Sequence, residues 1–314
     1  MTRAVFMGSP EMAVPSLEAL AAYPGVRVVG VLSQPDRPAG RRRRLQPCPV
    51  RQAARRLGLA TGTPEKAGSA EGLALLRQWA PELVVVCAYG QLLPAPVLDL
   101  PPLGSFNLHF SLLPRWRGAS PVQAALLAGD AHTGVSLQRM VMALDAGPLV
   151  ASTAPLPIAP TDTAETLGGR LAVAAGDLLT RALPLLLGGA PPEREQDEAG
   201  VTFCRTIKKA QGAVDFAQED AAAIERKVRA YTPWPGCHVY AGARRLGLAQ
   251  VAVLSANETP GPVGVLQADG SVQTRQGRLQ LLVVKPEGKR AMPVADFING
   301  MPQAVGLPLT PVAA

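Results

Sequence analysis

Asn107, His109 and Asp145 are the residues whose types and spacing could do chemistry. Asn107 and His109 stand two apart in Ser105-Phe106-Asn107-Leu108-His109-Phe110-Ser111-Leu112-Leu113-Pro114. The chain has only three Asn and three His, so meeting one of each at this spacing is unusual. Period two along an extended run puts both side chains on one face. Asp145 closes a second apolar run, Met140-Val141-Met142-Ala143-Leu144-Asp145-Ala146-Gly147. An amide donor, an imidazole and a carboxylate are the parts that move an acyl group onto a nucleophile. Singly, each has a plainer reading: a hydrogen-bonded structural histidine, a turn-capping asparagine, a loop carboxylate. The flanks, Leu112-Leu113-Pro114-Arg115-Trp116-Arg117-Gly118 and Leu144-Asp145-Ala146-Gly147-Pro148, make the joint reading stronger, because ordinary loops do not look like this.

Elements must hold these residues. Arg3 to Met7, Val26 to Leu32, Leu83 to Ala88, Phe106 to His109 and Gly134 to Met140 read as short apolar strands. Between them, helices are predicted over 49–57, 71–79 and 120–128, with a long one over 163–187. Ser9 is predicted to cap a first helix, with Pro10 in its first turn and Val14, Leu17, Leu20 and Ala21 on its buried face. Strands alternating with helices predict an α/β fold with a mostly parallel sheet. In such sheets sites lie beyond the C-terminal strand ends, where Asn107 and His109 fall. Gly188-Gly189-Ala190-Pro191-Pro192 followed by an acidic run predicts a linker over 188–206, dividing a domain over 1–187 from one over 207–314. Beyond it, a helix is predicted over 219–230. Short apolar segments at 237–240, 246–254, 263–267 and 279–284, separated by Gly-containing turns, predict a small β-barrel or sandwich.

Composition excludes several classes. No apolar run reaches the ~20 residues of a membrane span, and the N-terminus lacks a signal-peptide core, so a cytoplasmic location is expected. Cys48, Cys87, Cys204 and Cys237 form no C-x-x-C pair, so neither a disulfide nor a metal site is expected. Gly8-Ser9-Pro10-Glu11 lacks the glycine pattern of a dinucleotide turn, and Pro10 removes an amide that could cradle phosphate. The net charge of +7 is local: eight Arg and one Asp lie between Asp36 and Arg56, and the rest of the chain sums to zero. This points to an anionic partner such as a nucleic-acid backbone; a solvated basic loop would have the same composition.

The run Asn107-Leu108-His109-Phe110-Ser111-Leu112-Leu113-Pro114, with Arg117-Gly118 and Asp145-Ala146-Gly147, resembles the 10-formyltetrahydrofolate-dependent formyltransferase family. Phe6-Met7-Gly8-Ser9-Pro10, Ser33 to Arg41, Ala88 to Pro94, Tyr231 to Gly236 and Lys285 to Lys289 extend the likeness over nearly the whole chain. Within it they narrow the acceptor to an aminoacyl-tRNA. Met12 departs from the aromatic expected there, and Arg42-Arg43-Arg44 is more basic than the family's mixed sequence.

The resemblance implies a Rossmann-like formyltransferase domain followed by an OB-like β-barrel, and a monomer. It implies 10-formyltetrahydrofolate as donor, tetrahydrofolate as product and initiator methionyl-tRNA as acceptor, in translation initiation. Asn107, His109 and Asp145 would be catalytic. Asn107 and an imidazolium at His109 would stabilise the oxyanion, while Asp145 favours that imidazolium and helps move the amine's proton. The folate would lie at Ser111, Leu112, Leu113 and Pro114 and beside Tyr89, Gly90, Gln91 and Leu92, with backbone groups near Leu92 and Leu144 supplying polar contacts. No metal is needed, since the folate leaving group already activates the carbonyl. Arg37, Arg41, Arg42, Arg43 and Arg44 would hold the acceptor stem. Lys208, Lys209, Arg244, Arg245, Lys285 and Arg290 could extend that track. Two rivals are a relative acting on a small-molecule amine, and a non-catalytic RNA-binding protein. The basic loop and second domain speak against the first, and the catalytic trio against the second.

Overall fold

The computed structural model describes residues 1–39, 44–254 and 261–313. The chain divides into two units. The first comprises residues 1–121, 132–157 and 168–205; the second comprises 122–131, 158–167 and 206–314.

A seven-stranded sheet forms the first unit. Its spatial order is Leu149–Ser152, Ser136–Arg139, Ser105–His109, Leu83–Cys87, Thr2–Gly8, Val26–Leu32 and Thr61–Gly62. The five strands from Ser105–His109 to Thr61–Gly62 run parallel. Ser136–Arg139 is antiparallel to both of its neighbours. The central strands read as unbroken apolar runs because both of their faces are covered. Every residue of Leu83–Cys87 is buried. Val5 and Met7 share one core with Val84 and Val86, closed by Leu76, Trp79, Val97 and Leu98.

Several expectations are corrected in detail. Ser9 caps no helix: its hydroxyl donates to the Tyr89 carbonyl (3.1 Å) and accepts from the Gln34 amide (3.1 Å), stitching three strand ends together. The helix Val14–Ala22 instead begins after a short 3-10 turn, Glu11–Ala13. The strand expected over 134–140 is limited to Ser136–Arg139. The basic segment is flanked by two short paired strands, Arg37–Ala39 and Arg44–Gln46. Residues 188–206 carry a 3-10 turn, Glu198–Gly200, and a strand, Phe203–Cys204, which pairs in parallel with Arg117–Gly118.

A curled antiparallel sheet dominates the second unit. Its order is Ser271–Gln273, Arg278–Pro286, Arg244–Leu254, Cys237–Ala241 and Leu309–Thr310, with Met292–Pro293 paired to Arg278–Pro286. Register shifts near Gln250 bend the long strand, as bulges do. Alternate residues Leu246, Leu248, Leu279, Leu281 and Val239 face the core. The segment 263–267 makes only isolated bridges rather than the expected strand. No helix among the described residues is long and apolar enough to cross a membrane.

Candidate active site

Ser105–His109 ends at the C-terminal edge of the parallel sheet and carries Asn107 and His109 there. Asp145 lies in the loop after Ser136–Arg139, and its carboxylate is the point where the site converges. Oδ1 accepts from Gln138 Nε2 (2.9 Å) and, more weakly, from Asn107 Nδ2 (3.4 Å). Oδ2 accepts from the Gly118 amide (2.9 Å) and faces His109 Nδ1 at 3.6 Å. The side chains of His109 and Asp145 are 6% and 10% exposed. A buried carboxylate needs such donors to keep its charge.

His109 is held from its other side. Nε2 lies 2.8 Å from the Trp116 carbonyl. A carbonyl only accepts, so Nε2 is the donor, and Nδ1 is the ring atom facing Asp145. Trp116 (φ +62°) and Asp145 (φ +50°) both adopt left-handed backbone, a conformation that gathers at functional sites. The Trp116 amide is tied to Thr202 Oγ1 (2.9 Å). Cys204 donates its thiol to the Trp116 carbonyl at 3.5 Å. Burial first, and then the Asp145 charge, push that thiol's pKa up, so Cys204 is a donor here rather than a thiolate.

The remaining sequence-predicted residues sort into distinct places. Ser111 is buried and donates to the Arg115 carbonyl (2.6 Å), while its own carbonyl accepts from Ser136 Oγ (2.8 Å). The Leu113 amide donates to the same Ser136 hydroxyl (3.0 Å), so the loop carrying Ser111 to Pro114 is pinned to the neighbouring strand. Leu112 and Pro114 are half-buried. Tyr89 lies inside the core, 2% exposed, and burial pushes its phenol up to about 12. Gly90 is exposed. Gln91 turns away to the Ala67 amide (2.7 Å) and the Glu65 carbonyl (3.1 Å). Leu92 and Leu144 are open to solvent, 77% and 53% exposed. The backbone N–H and C=O of Leu92 have no hydrogen-bond partner among the described residues. In the two short strands around the basic segment, Arg37 stands opposite Gln46 and Arg44 opposite Ala39; Arg41, Arg42 and Arg43 lie outside the described residues.

Sequence reasoning missed Gln138, Gln196, Thr202 and Cys204, and left Arg117 without a role. Gln138 stands directly across from Asn107 in the antiparallel pair, so strand register would have found it. Arg117 is 4% exposed; its Nε donates to Gln196 Oε1 (3.0 Å) and its Nη2 to Glu198 Oε1 (2.8 Å). Gln196 and Glu198 had read as part of an acidic linker and carried no local signal. No group of three or more His, Cys, Asp or Glu side chains stands ready for a metal among the described residues.

Comparison with known proteins bears on this arrangement. Residues 2–183 match the formyl transferase family and residues 206–302 match the formyl transferase C-terminal domain. Methionyl-tRNA formyltransferase of Halorhodospira halophila is 45% identical over 98% of this chain and 99% of its own. The enzyme of the same name from Stenotrophomonas maltophilia is 44% identical over 95% and 97%. Among solved structures, the sugar 3N-formyl transferase WlaRD, determined in the presence of dTDP and 5-N-formyl-THF, aligns with a TM-score of 0.65. It is 15% identical over 92% of this chain and 99% of its own, a likeness that speaks to the fold alone. With both domains matched and near-full-length relatives well above 30% identity, the chain belongs to the formyl transferase family.

Proposed function

We propose that this protein transfers a formyl group from 10-formyltetrahydrofolate to the α-amino group of initiator methionyl-tRNA. The observation that carries this reading is the convergence of Asn107 and His109 on the buried Asp145 carboxylate. It occurs in a chain whose whole length is similar to enzymes named for that reaction. Such a role fits the cytoplasm, with residues 1–187 catalytic, the 188–206 segment both joining the parts and bracing the site through Gln196 and Thr202, and an OB-like C-terminal part adding to the tRNA track.

The surroundings suit the donor. Leu92 offers an exposed apolar side chain beside a free backbone donor and acceptor, which fits a flat heteroaromatic ring with polar edges. Leu144, next to Asp145, offers a second exposed apolar surface. Ser111 and Leu113, pinned to Ser136, give the remaining wall a fixed shape.

The donor supplies a formyl carbonyl activated by its folate leaving group. Asn107 Nδ2 spends one N–H on a long bond to Asp145 and keeps a second for the formyl oxygen. His109 gives its Nε2 proton to Trp116, so its Nδ1 proton is the one shared between Asp145 and the oxygen as charge develops. Sharing that proton needs one proton on each ring nitrogen, with the Asp145 carboxylate 3.6 Å from Nδ1 to hold the second. As the amine bonds to the formyl carbon, Asp145 receives, directly or through water, the proton that the amine loses, and that proton passes on to the folate N10 as its bond to the formyl carbon breaks. Arg37 and Arg41 to Arg44 hold the acceptor stem by its phosphates and base edges.

The test is a formylation assay with charged initiator tRNA and 10-formyltetrahydrofolate. Transfer is expected for the wild type and a loss of about 10²–10³ in rate for Asn107→Ala, with tRNA binding kept. A wild type that formylates only a small amine, or N107A that loses tRNA affinity instead of rate, would overturn the reading.

A further inference from the structure

We propose that Gln196 is a positioning residue that sets the Asp145 turn and so aims the catalytic carboxylate at His109. Gln196 is 8% exposed and spends its whole carboxamide on the site. Nε2 donates to the carbonyls of Gly147 (2.8 Å) and Asp145 (2.9 Å) and reaches Gln138 Oε1 (3.3 Å). Oε1 accepts from Arg117 Nε (3.0 Å). The amide can point only one way, because arginine only donates and the two carbonyls only accept.

These bonds close a ring around Asp145. Arg117 holds Gln196; Gln196 holds the Asp145 backbone and Gln138; Gln138 Nε2 holds the Asp145 carboxylate. Gly118, next to Arg117 in sequence, donates its amide to the other carboxylate oxygen. All the side chains of the ring are buried or nearly so, where an unmet hydrogen bond is most costly. Asp145 sits at φ +50°, left-handed backbone that aspartate tolerates better than most residues but that still carries strain. The turn therefore needs outside partners, and Gln196 grips the carbonyls on both sides of Ala146.

A plainer role would be to staple the 193–205 segment to the sheet. That segment has other staples: Glu198 on Arg117, and paired backbone bonds between Arg194 and Leu149. Gln196 alone among these reaches the Asp145 turn.

Gln196→Glu separates the two roles. It keeps the volume and the acceptor for Arg117, but sets carboxylate lone pairs against the Asp145 and Gly147 carbonyls. In the full-length protein, kcat is expected to fall about 100-fold, as for a misplacement near 1 Å, with KM for both substrates little changed, while the unfolding midpoint falls because two buried carbonyls lose their donor. The ring resonances of His109 are expected to move while those of His132 and His238, the only other histidines, stay. Should Q196E not fold, Gln138→Leu removes the donor to Asp145 Oδ1 and is expected to give the same pair of effects. The kcat arm rests on the formyl-transfer reading above; the imidazole arm does not. An inactive wild type would sink that reading, while the resonances would still judge Gln196. A folded variant with wild-type kcat and unmoved His109 resonances would overturn the proposal.

Discussion

Gly118→Ala is a small change with a large expected consequence. Gly118 adopts φ +121°, and a Cβ there would lie 2.1 Å from the Cys204 carbonyl oxygen. Contact between such atoms settles near ~3.5 Å, so the backbone must part by about 1.4 Å. Neither side can yield a flexible tip, because the obstacle is main chain. Two bonds are at stake: Gly118 N to Asp145 Oδ2 at 2.9 Å, and Ala119 N to the Cys204 carbonyl at 3.3 Å. Losing a hydrogen bond to a buried charge costs about 1.5–3 kcal/mol. Holding a non-glycine residue in that backbone region costs about 1–3 kcal/mol more. The sum, about 2.5–6 kcal/mol, should lower Tm by roughly 10 °C. Because the displaced amide is one of the donors that fix Asp145, kcat should also fall about 100-fold. Calorimetric unfolding and single-turnover formylation of G118A measure both. Wild-type Tm together with wild-type kcat would show that the Cys204 segment yields freely and would refute the argument.

Two further outcomes are expected. Replacing Arg41 and Arg42 by Ala should raise KM for the charged tRNA and reduce the slope of log affinity against log salt by roughly 1 per lost phosphate contact; an unchanged slope removes the basic segment from the tRNA track. His238 has its pKa lowered from the ordinary 6.5, first by burial and then by Arg245, Lys209 and Lys227. The unfolded chain therefore takes up a proton near pH 6.5 that the folded one refuses, so stability is full above that pH and declines as pH falls below it, until the folded ring titrates. Denaturant midpoints of His238→Gln should be flatter than wild type over that window, and parallel curves would assign the acid sensitivity elsewhere.

Much of the architecture was legible because its causes are local. Apolar runs of strand length at Val26–Leu32 and Leu83–Cys87, and a helical apolar stripe at Val14, Leu17 and Leu20, announce their elements whatever they pack against. Asn107 and His109 could be placed together because period two is a property of any extended chain. The weakly apolar pieces were harder to place. Segment 263–267 has the composition of a strand, yet finds only isolated bridges, because its neighbours Gln273 and Pro308 offer it no continuous edge. Ser9 has the chemistry of a cap, but the Tyr89 carbonyl and Gln34 amide claimed its hydroxyl.

The sequence by itself determined which groups could do acyl-transfer chemistry, the alternation that makes a mostly parallel sheet, and the basic segment that suggests a nucleic-acid partner. Tertiary structure alone decided what each group touches. Asp145 meets Asn107 across 38 positions, Gln196 grips Asp145 across 51, and Arg117 finds Gln196 across 79. Those encounters follow from strand order and register, which are settled by burying the whole sheet at once. No window of neighbouring residues encodes them, so an amide in an acidic stretch after two prolines could become part of the site.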